Sequence, residues 1–475
     1  MNNNKTYHAH PIQIFSYISR LLVWLIIPLI RGLISALTGG LISWLSGAWI
    51  DIMVLISILG IGIIQWWLTV FTFDEGGVSL EKGIFLHRKT YIPSHHILSV
   101  LITKSFYLRP LRAVQLRLDT SGGSFNQADF NFIVKKSLAD KMADMLVKDP
   151  SGKRIIQKSN LIYILALSLI TSNSFAGIMI ITTFISSLGE VLGEELSKRI
   201  YGTFRQFSNA LAFGIPPAAA ALAYLLFIGW FVTFTANVIR YRNLTVTRQG
   251  LFLNIKGGLF TISEYTLKPK SISYVDIRQT LLTKILRLHS VFIYAIGYGK
   301  SKTDVSAVIP AIRQKNLNSN IKKLIPKFNK SERTLKPNFG ALMRFITDPI
   351  YFCIGILLVT FVLILVYPDW KDFLSFIAGL ALVPAIWFLA VRFIDFCTSG
   401  ISKSKGCYTI RYSRSFYLHT VIIPEDKIVT VKTKQSYLQK FDKKCDVYVF
   451  TYSEGMSCHK CRNLNKSDVL ELFDL

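Results

Sequence analysis

The residues in this chain with chemistry to offer are few, and most are cationic. Cys458-His459-Lys460-Cys461, with Cys445 upstream, has the Cys-x-x-Cys spacing that serves zinc binding or thiol redox work. No second pair stands at zinc-finger spacing and no strand-to-helix context surrounds it. Cys458 and Cys461 are therefore marginal metal candidates, read as a cytosolic turn with free thiols, and no metal or cofactor is expected. His95-His96 follows Pro93 and reads as a solvated loop. The sequence has no P-loop, dinucleotide fingerprint, HExxH or GxSxG motif, and no nucleophile and base at recognisable spacing, so it reads as a non-enzyme. What remains is positive charge. Lys256, Lys268, Lys270, Arg278, Lys284 and Arg287 crowd one stretch, and basic residues continue through Lys322, Lys323, Lys327 and Lys330. Cations at a membrane surface are attracted to anionic lipid by about 1 kcal/mol each. With Arg31, those first six are the candidate lipid-binding residues; the competing reading is a solvated face that only fixes topology.

Such residues need elements to hold them. The chain has 475 residues, 51% hydrophobic, with 55 Lys+Arg against 28 Asp+Glu and a net charge of +27. That is too apolar for disorder and, at 17% charged, too sparsely charged for an ordinary cytosolic enzyme. Ile52 to Phe71 carries no charge and is long enough, as a helix, to cross a hydrocarbon core of about 30 Å. Five further spans are predicted at Ile14 to Leu37, Leu161 to Ile185, Phe213 to Val238, Ile350 to Tyr367 and Phe373 to Ile394. Pro216-Pro217 and Pro384 are expected to kink the fourth and sixth. The six spans form three hairpins. The loop Thr38 to Asp51 lacks Lys and Arg, whereas residues 72–160 hold 14 basic and 8 acidic residues, 237–348 hold 20 and 5, and 395–475 hold 13 and 9. The positive-inside rule places the N-terminus and these three long segments in the cytoplasm, with Ser186 to Ala212 as a short extracytoplasmic helix.

The three basic segments match one another. Each has an alternating strand, a turn, and a second strand ending at Pro93, Pro269 or Pro424; an Ile (Ile97, Ile272, Ile428) and then a Val (Val100, Val275, Val431) follow. Basic and hydroxyl residues come next, at Lys104-Ser105, Arg278-Gln279-Thr280 and Lys434-Gln435-Ser436, and alternating strands and a helical stretch (Phe132 to Val147, Gln314 to Ile325, Lys466 to Leu475) close each segment. The physical picture is a small antiparallel sandwich or open barrel plugged by a C-terminal helix.

This pattern resembles the bacterial pleckstrin-homology-like domain (bPH2, or DUF304), and two spans followed by such a domain, three times over, resembles membrane proteins of the YdbT type. The expected fold is membrane α plus β: six transmembrane helices in three hairpins, each followed by a PH-like domain. The expected boundaries are 1–71 (tail and first hairpin), 72–157 (first domain), 158–238 (second hairpin), 239–336 (second domain), 337–396 (third hairpin) and 397–475 (third domain). The resemblance implies a multi-pass protein of the bacterial cytoplasmic membrane. Its role would be a lipid- and protein-binding platform in envelope maintenance or protection against membrane-active compounds such as antimicrobial peptides. Lipid or amphiphile transport through a groove between hairpins is the alternative. Anionic lipids, a smaller YdbS-like single-unit companion or self-association are the implied partners, and no nucleic acid.

Overall fold

The computed structural model describes residues 6–21, 40–120 except Glu75 and Phe85, 129–147, 154–172, 199, 202, 203, 206, 217–298 except Gly297, and 307–474 except Glu454. Arg31, most of the Ser186 to Ala212 segment, and the later parts of the first and third predicted spans lie outside these residues.

Three units follow one another. The first has β1 (Tyr7–His8), α1 (Gln13–Leu21), α2 (Gly40–Trp67), β2 (Val70–Phe73), β3 (Gly77–Lys82), β4 (Arg88–Pro93), β5 (Ile97–Lys104), β6 (Ala113–Thr120), β7 (Phe130–Lys135) and α3 (Lys136–Val147). The second has β8 (Ile155–Lys158), α4 (Leu161–Thr171), α5 (Pro217–Tyr241), β9 (Thr245–Gln249), β10 (Phe252–Gly257), β11 (Ile262–Leu267), β12 (Ile272–Gln279), α6 (Leu281–Ile285), β13 (Leu288–Ala295), β14 (Ala307–Arg313) and α7 (Gln314–Leu324). The third has α8 (Leu342–Val366), α9 (Lys371–Thr398), β15 (Gly400–Ser404), β16 (Cys407–Arg414), β17 (Tyr417–Pro424), β18 (Ile428–Lys434), α10 (Tyr437–Phe441), β19 (Lys444–Tyr452), β20 (Met456–Asn465) and α11 (Lys466–Phe473).

Among the described residues three helices are long and apolar enough to cross a membrane, over Leu222–Tyr241, Phe339–Val366 and Pro368–Thr398. Apolar surface that would be costly in water covers them: Phe361, Leu365 and Val383 are all exposed. The predicted Ile52 to Phe71 span is shorter than expected. Its helix stops at Trp67, and Val70–Phe73 is a strand whose Phe71 is buried against Phe130 and Phe132. Apolar residues alone do not separate a buried strand from the end of a span. The predicted loop from Thr38 to Asp51 is likewise helical from Gly40 onward. Pro216 lies outside the described residues and α5 is described from Pro217, while Pro384 lies inside α9.

Each unit stacks two antiparallel sheets over one apolar core. In the first, Phe71, Val78 and Leu80 face Val114, Leu116 and Val134, and Ala139 and Met142 of α3 close the end. A strand from ahead of each helical pair also joins the sheet that follows the pair: β1 pairs with β2, β8 with β9, and Leu335 bridges to Ile401. Residues 155–158 and 335 thus pack with the unit that follows them, across the boundaries expected at 157 and 336. Sheets also run from unit to unit. β5 pairs with β11 and β12 with β17, giving seven-stranded (β7-β6-β5-β11-β10-β9-β8) and six-stranded (β14-β13-β12-β17-β16-β15) sheets.

Candidate functional site

β2, β9 and β15 begin within a few residues of the ends of α2, α5 and α9. One end of every unit therefore adjoins the apolar helices, and strand direction decides what else lies there. β3 returns to that end, so the β3–β4, β10–β11 and β16–β17 turns close at it; β5, β12 and β18 run back to it as well. Side chains agree. Arg109 donates to the carbonyls of Leu259 and Phe260 at 2.9 and 2.8 Å, and Phe416 lies 5.8 Å from Phe388 of α9, ring to ring. Arg344, near the start of α8, donates to Ser436 at 3.1 Å.

At this membrane-proximal end each unit presents apolar side chains to solvent beside cations. Phe106, Tyr107 and Leu111 stand with Arg109 and Arg112; Leu282, Ile285 and Leu286 with Lys284 and Arg287; Tyr437, Leu438 and Phe441 with Lys440 and Lys443. Helices as short as α6 and α10 need help to form. Both have a reciprocal cap, Thr280 with Thr283 and Ser436 with Gln439. The β10–β11 turn depends on Gly258, whose φ of +107° would bring a Cβ to 2.0 Å from the Thr261 carbonyl oxygen.

Between α6 and α9 lies a cavity of about 610 Å³, lined by Leu281, Leu282, Ile285, Ile386, Trp387 and Ile394, with Lys284 its one charged residue among the described residues. Around Lys284 stand Lys330, Arg333 and Arg411, with Asp395 and Glu332 as partial counter-charges. Lys330 and Lys284 disfavour protonation of His289, Arg411 and Lys284 disfavour that of Lys330, and Arg333 disfavours that of Lys284 and Arg411. Burial, reinforced by Lys330 and Lys284, pushes His289 down to about 4, so it is neutral. Burial also lowers Lys284 and Lys330, Lys330 further through Arg411. Both ring nitrogens of His289 and Nη1 of Arg411 are buried without a hydrogen-bond partner among the described residues. Arg333 is satisfied by the carbonyls of Cys397 and Ser399 at the end of α9, at 2.6 and 3.2 Å. An apolar slot backed by cations fits the two halves of an anionic amphiphile.

A family model described as Bacterial PH domain matches residues 22–148 and 207–325. The chain belongs to the bacterial PH domain family. The UPF0699 transmembrane protein YdbT of Bacillus subtilis (strain 168) is 21% identical over 435 residues, covering 85% of this chain and 83% of that protein. Together with its apolar helices, this makes the bacterial PH domain chain a membrane protein. Its third unit lies outside the two matched regions but keeps the same strand order.

Within this bacterial PH domain protein the predicted lipid residues separate. Lys284 and Arg287 are together at the membrane-proximal end, on and just after α6. Lys256 is near that end but faces Glu264 at 3.9 Å. It sits in a groove of about 1040 Å³ where Asp140, Asp144 and Glu264 balance Arg154, Lys158 and Lys256. Lys268 and Lys270 are at the opposite end, Lys268 donating to the Ser94 carbonyl at 3.3 Å across the first unit junction, with burial lowering its ammonium. Arg278 is committed inside the protein: Nε meets Asp276 at 2.6 Å, Nη2 meets Tyr294, and the guanidinium lies 4.2 Å over Phe292. Burial alone would raise the Asp276 carboxyl, but hydrogen bonding and charge from His419 and Arg278 hold it below the usual carboxylate range. The Cys-x-x-Cys pair is not on a turn. Cys458 and Cys461 lie on β20, where a three-residue step turns side chains to opposite faces, and Cys461 is buried in the third core. Among the described residues no three His, Cys, Asp or Glu side chains gather as metal ligands. His95 and His96 form one turn of 3-10 helix rather than a loop.

Lys330, Arg333, His289 and Arg411 completed the cluster without any local signal, since they come from a linker and from two units joined in one six-stranded sheet. The apolar tips had one: the runs SFYLRPLR, TLLTKILR and SYLQKFDK each set large apolar residues beside Lys or Arg.

Proposed function

We propose that this chain is a non-enzymatic, multi-pass protein of the bacterial cytoplasmic membrane whose three PH-like domains lie against the cytoplasmic leaflet as a platform for anionic lipid. Its cellular role would be envelope maintenance or protection against membrane-active compounds such as antimicrobial peptides. The observation that carries the lipid reading is the apolar cavity between α6 and α9, opening at the membrane-proximal end with Lys284 at its rim and Lys330 close behind it. The acyl part of a lipid would occupy the cavity and its phosphate would meet Lys284 and Arg287. The net charge of +27 supports the cytoplasmic side, because anionic headgroups give that leaflet its negative potential.

The test is lipid retention by the purified chain. Extracted from membranes of mixed phosphatidylglycerol and phosphatidylethanolamine, it should retain phosphatidylglycerol above its share of the bulk, and Lys284→Gln should remove the excess. Retention that mirrors the bulk composition would overturn the proposal.

One observation favours transport as a second reading: the same cavity runs along α9 at Val383 to Ile394, within a membrane-long helix. Movement of fluorescent lipid between leaflets of reconstituted vesicles would support it. Its absence, with retention intact, leaves the platform.

A further inference from the structure

The contacts between units share one register. At the first junction Val100 of β5 stands opposite Thr266 of β11; at the second, Val275 of β12 stands opposite Ile422 of β17. Val100 and Val275 occupy the same place, three residues after Ile97 and Ile272, which open their strands. Thr266 and Ile422 likewise stand two residues before Lys268 and Pro424, which precede one turn of 3-10 helix. The same pairing is thus made twice. The first strand of one unit's second sheet joins the last strand of the next unit's first sheet.

One strand of each kind is left over. β4 ends the sheet β1-β2-β3-β4 and β18 ends the sheet β18-β19-β20, and among the described residues no strand pairs with the outer edge of either. Thr430, Lys432, Thr433 and Lys434 are exposed, whereas their counterparts in β5 and β12 are mostly buried. Arg88, Lys89 and Tyr91 are exposed on β4. A bare edge offers N–H and C=O groups in the spacing another strand needs.

Charge selects the occupant. In the shared register, a second copy would set Val431 against Tyr91, and hence Lys434 against Arg88 and Thr433 against Lys89. Like charges directly opposed are destabilising. The internal junctions do the reverse: Lys104 meets Glu264 at 3.4 Å across the first, and Asp276 meets His419 at 3.0 Å across the second. Neither β4 nor β18 contains a carboxylate; the nearest answer to Lys89 is Glu81, on its own neighbour β3, at 2.5 Å.

We propose that β18 is a docking edge for a different protein, a PH-like domain whose own edge strand carries carboxylates against Lys432 and Lys434, and that the cations on β4 and β18 keep copies of this chain apart. Such a partner continues the sheet across a third junction of the same geometry. The contact is head-to-tail, so charge is what prevents an open-ended array of copies.

A charge-reversal cycle on the full chain in nanodiscs tests this, read by particle mass. The wild type is a monomer. Lys432→Glu/Lys434→Glu makes β18 complementary to Arg88 and Lys89, and this variant self-associates. Arg88→Glu/Lys89→Glu does the same from the other edge and serves as the defined acidic-edge probe, which labelled wild-type chain binds about ten-fold more tightly than it binds itself. All four substitutions together restore repulsion and the monomer. Wild-type association through these edges, single-edge reversals that remain monomeric, or a fourfold variant that still associates would each overturn the proposal. The substituted side chains are exposed, so the unfolding temperature should not move. If a reversal does lower it, Lys432→Gln/Lys434→Gln replaces that variant and must associate more than wild type.

Discussion

Arg278→Met tests whether the Arg278 guanidinium serves the interior of the second unit, as its pairing with Asp276 requires. Methionine keeps an apolar stem over Phe292 and removes the charge that Asp276 depends on, together with the bond to Tyr294. Breaking a buried ion pair from one side costs about 3–5 kcal/mol. His419 still bonds Asp276 at 3.0 Å, so the expected loss is at the low end, about 3 kcal/mol, or an unfolding temperature lower by about 6–12 °C. The loss should depend on pH in a definite direction. In the wild type the Asp276 carboxyl is held below its unfolded value, so its contribution is present above the unfolded pKa and is lost as pH falls through the folded one. Without the guanidinium, burial raises that carboxyl, and the variant's deficit should be larger at pH 8 than at pH 5. Arg278→Met/Asp276→Asn should recover most of the loss, because no buried charge is left unpaired. Thermal unfolding in nanodiscs, with lipid retention measured alongside, reads all of this. An Arg278→Met chain that unfolds like the wild type yet loses anionic lipid would refute the reasoning.

Burial lowers His459, held by Thr451 at 2.9 Å and Tyr412 at 3.0 Å, to about 4. The unfolded chain binds a proton there that the folded one refuses, so stability should fall as pH drops from about 6.5 toward 4, and His459→Gln should flatten that fall by up to about 3 kcal/mol in a denaturant series. Gly258→Ala should cost about 1–3 kcal/mol of stability through strain at φ +107°, whereas Ser415→Gly, at φ +53° in the matching turn of the third unit, should cost nothing measurable by thermal unfolding. Lys284→Gln with Arg287→Asn, the latter a residue that tolerates φ +54°, should weaken phosphatidylglycerol retention about ten-fold while leaving the unfolding temperature unchanged.

Much of the fold was legible because period-2 and long apolar patterns are local. Val114, Leu116 and Leu118 alternate as expected and are all buried on β6. The Ile and Val that follow each proline sit at the start of β5, β12 and β18. What escaped was either short or non-local. Tyr7–His8 is too short to carry a period, and it is a strand only because Phe71 and Val70 lie beside it. Phe71 looked like the end of a span because a buried strand and a buried helix end are equally apolar. The basic stretch read as one cluster because six cations are near in sequence; strand reversal then sends Lys268 and Lys270 to one end of the unit and Lys284 and Arg287 to the other. Asp276 was the missing clue to Arg278. A carboxylate two residues away on a strand shares its face, and that spacing marks an internal pair before it marks a lipid ligand.

The central claim is that the apolar tips meet lipid and the opposite ends of the units do not. An environment-sensitive fluorescent amino acid in place of Phe106, Ile285 or Leu438, in nanodiscs containing lipids brominated near the headgroup, measures this directly. The account predicts blue-shifted, bromine-quenched emission at those three positions, and water-like, unquenched emission at His95, Lys270 and Asp426. Equal quenching at both sets, or none at the tips, would contradict it.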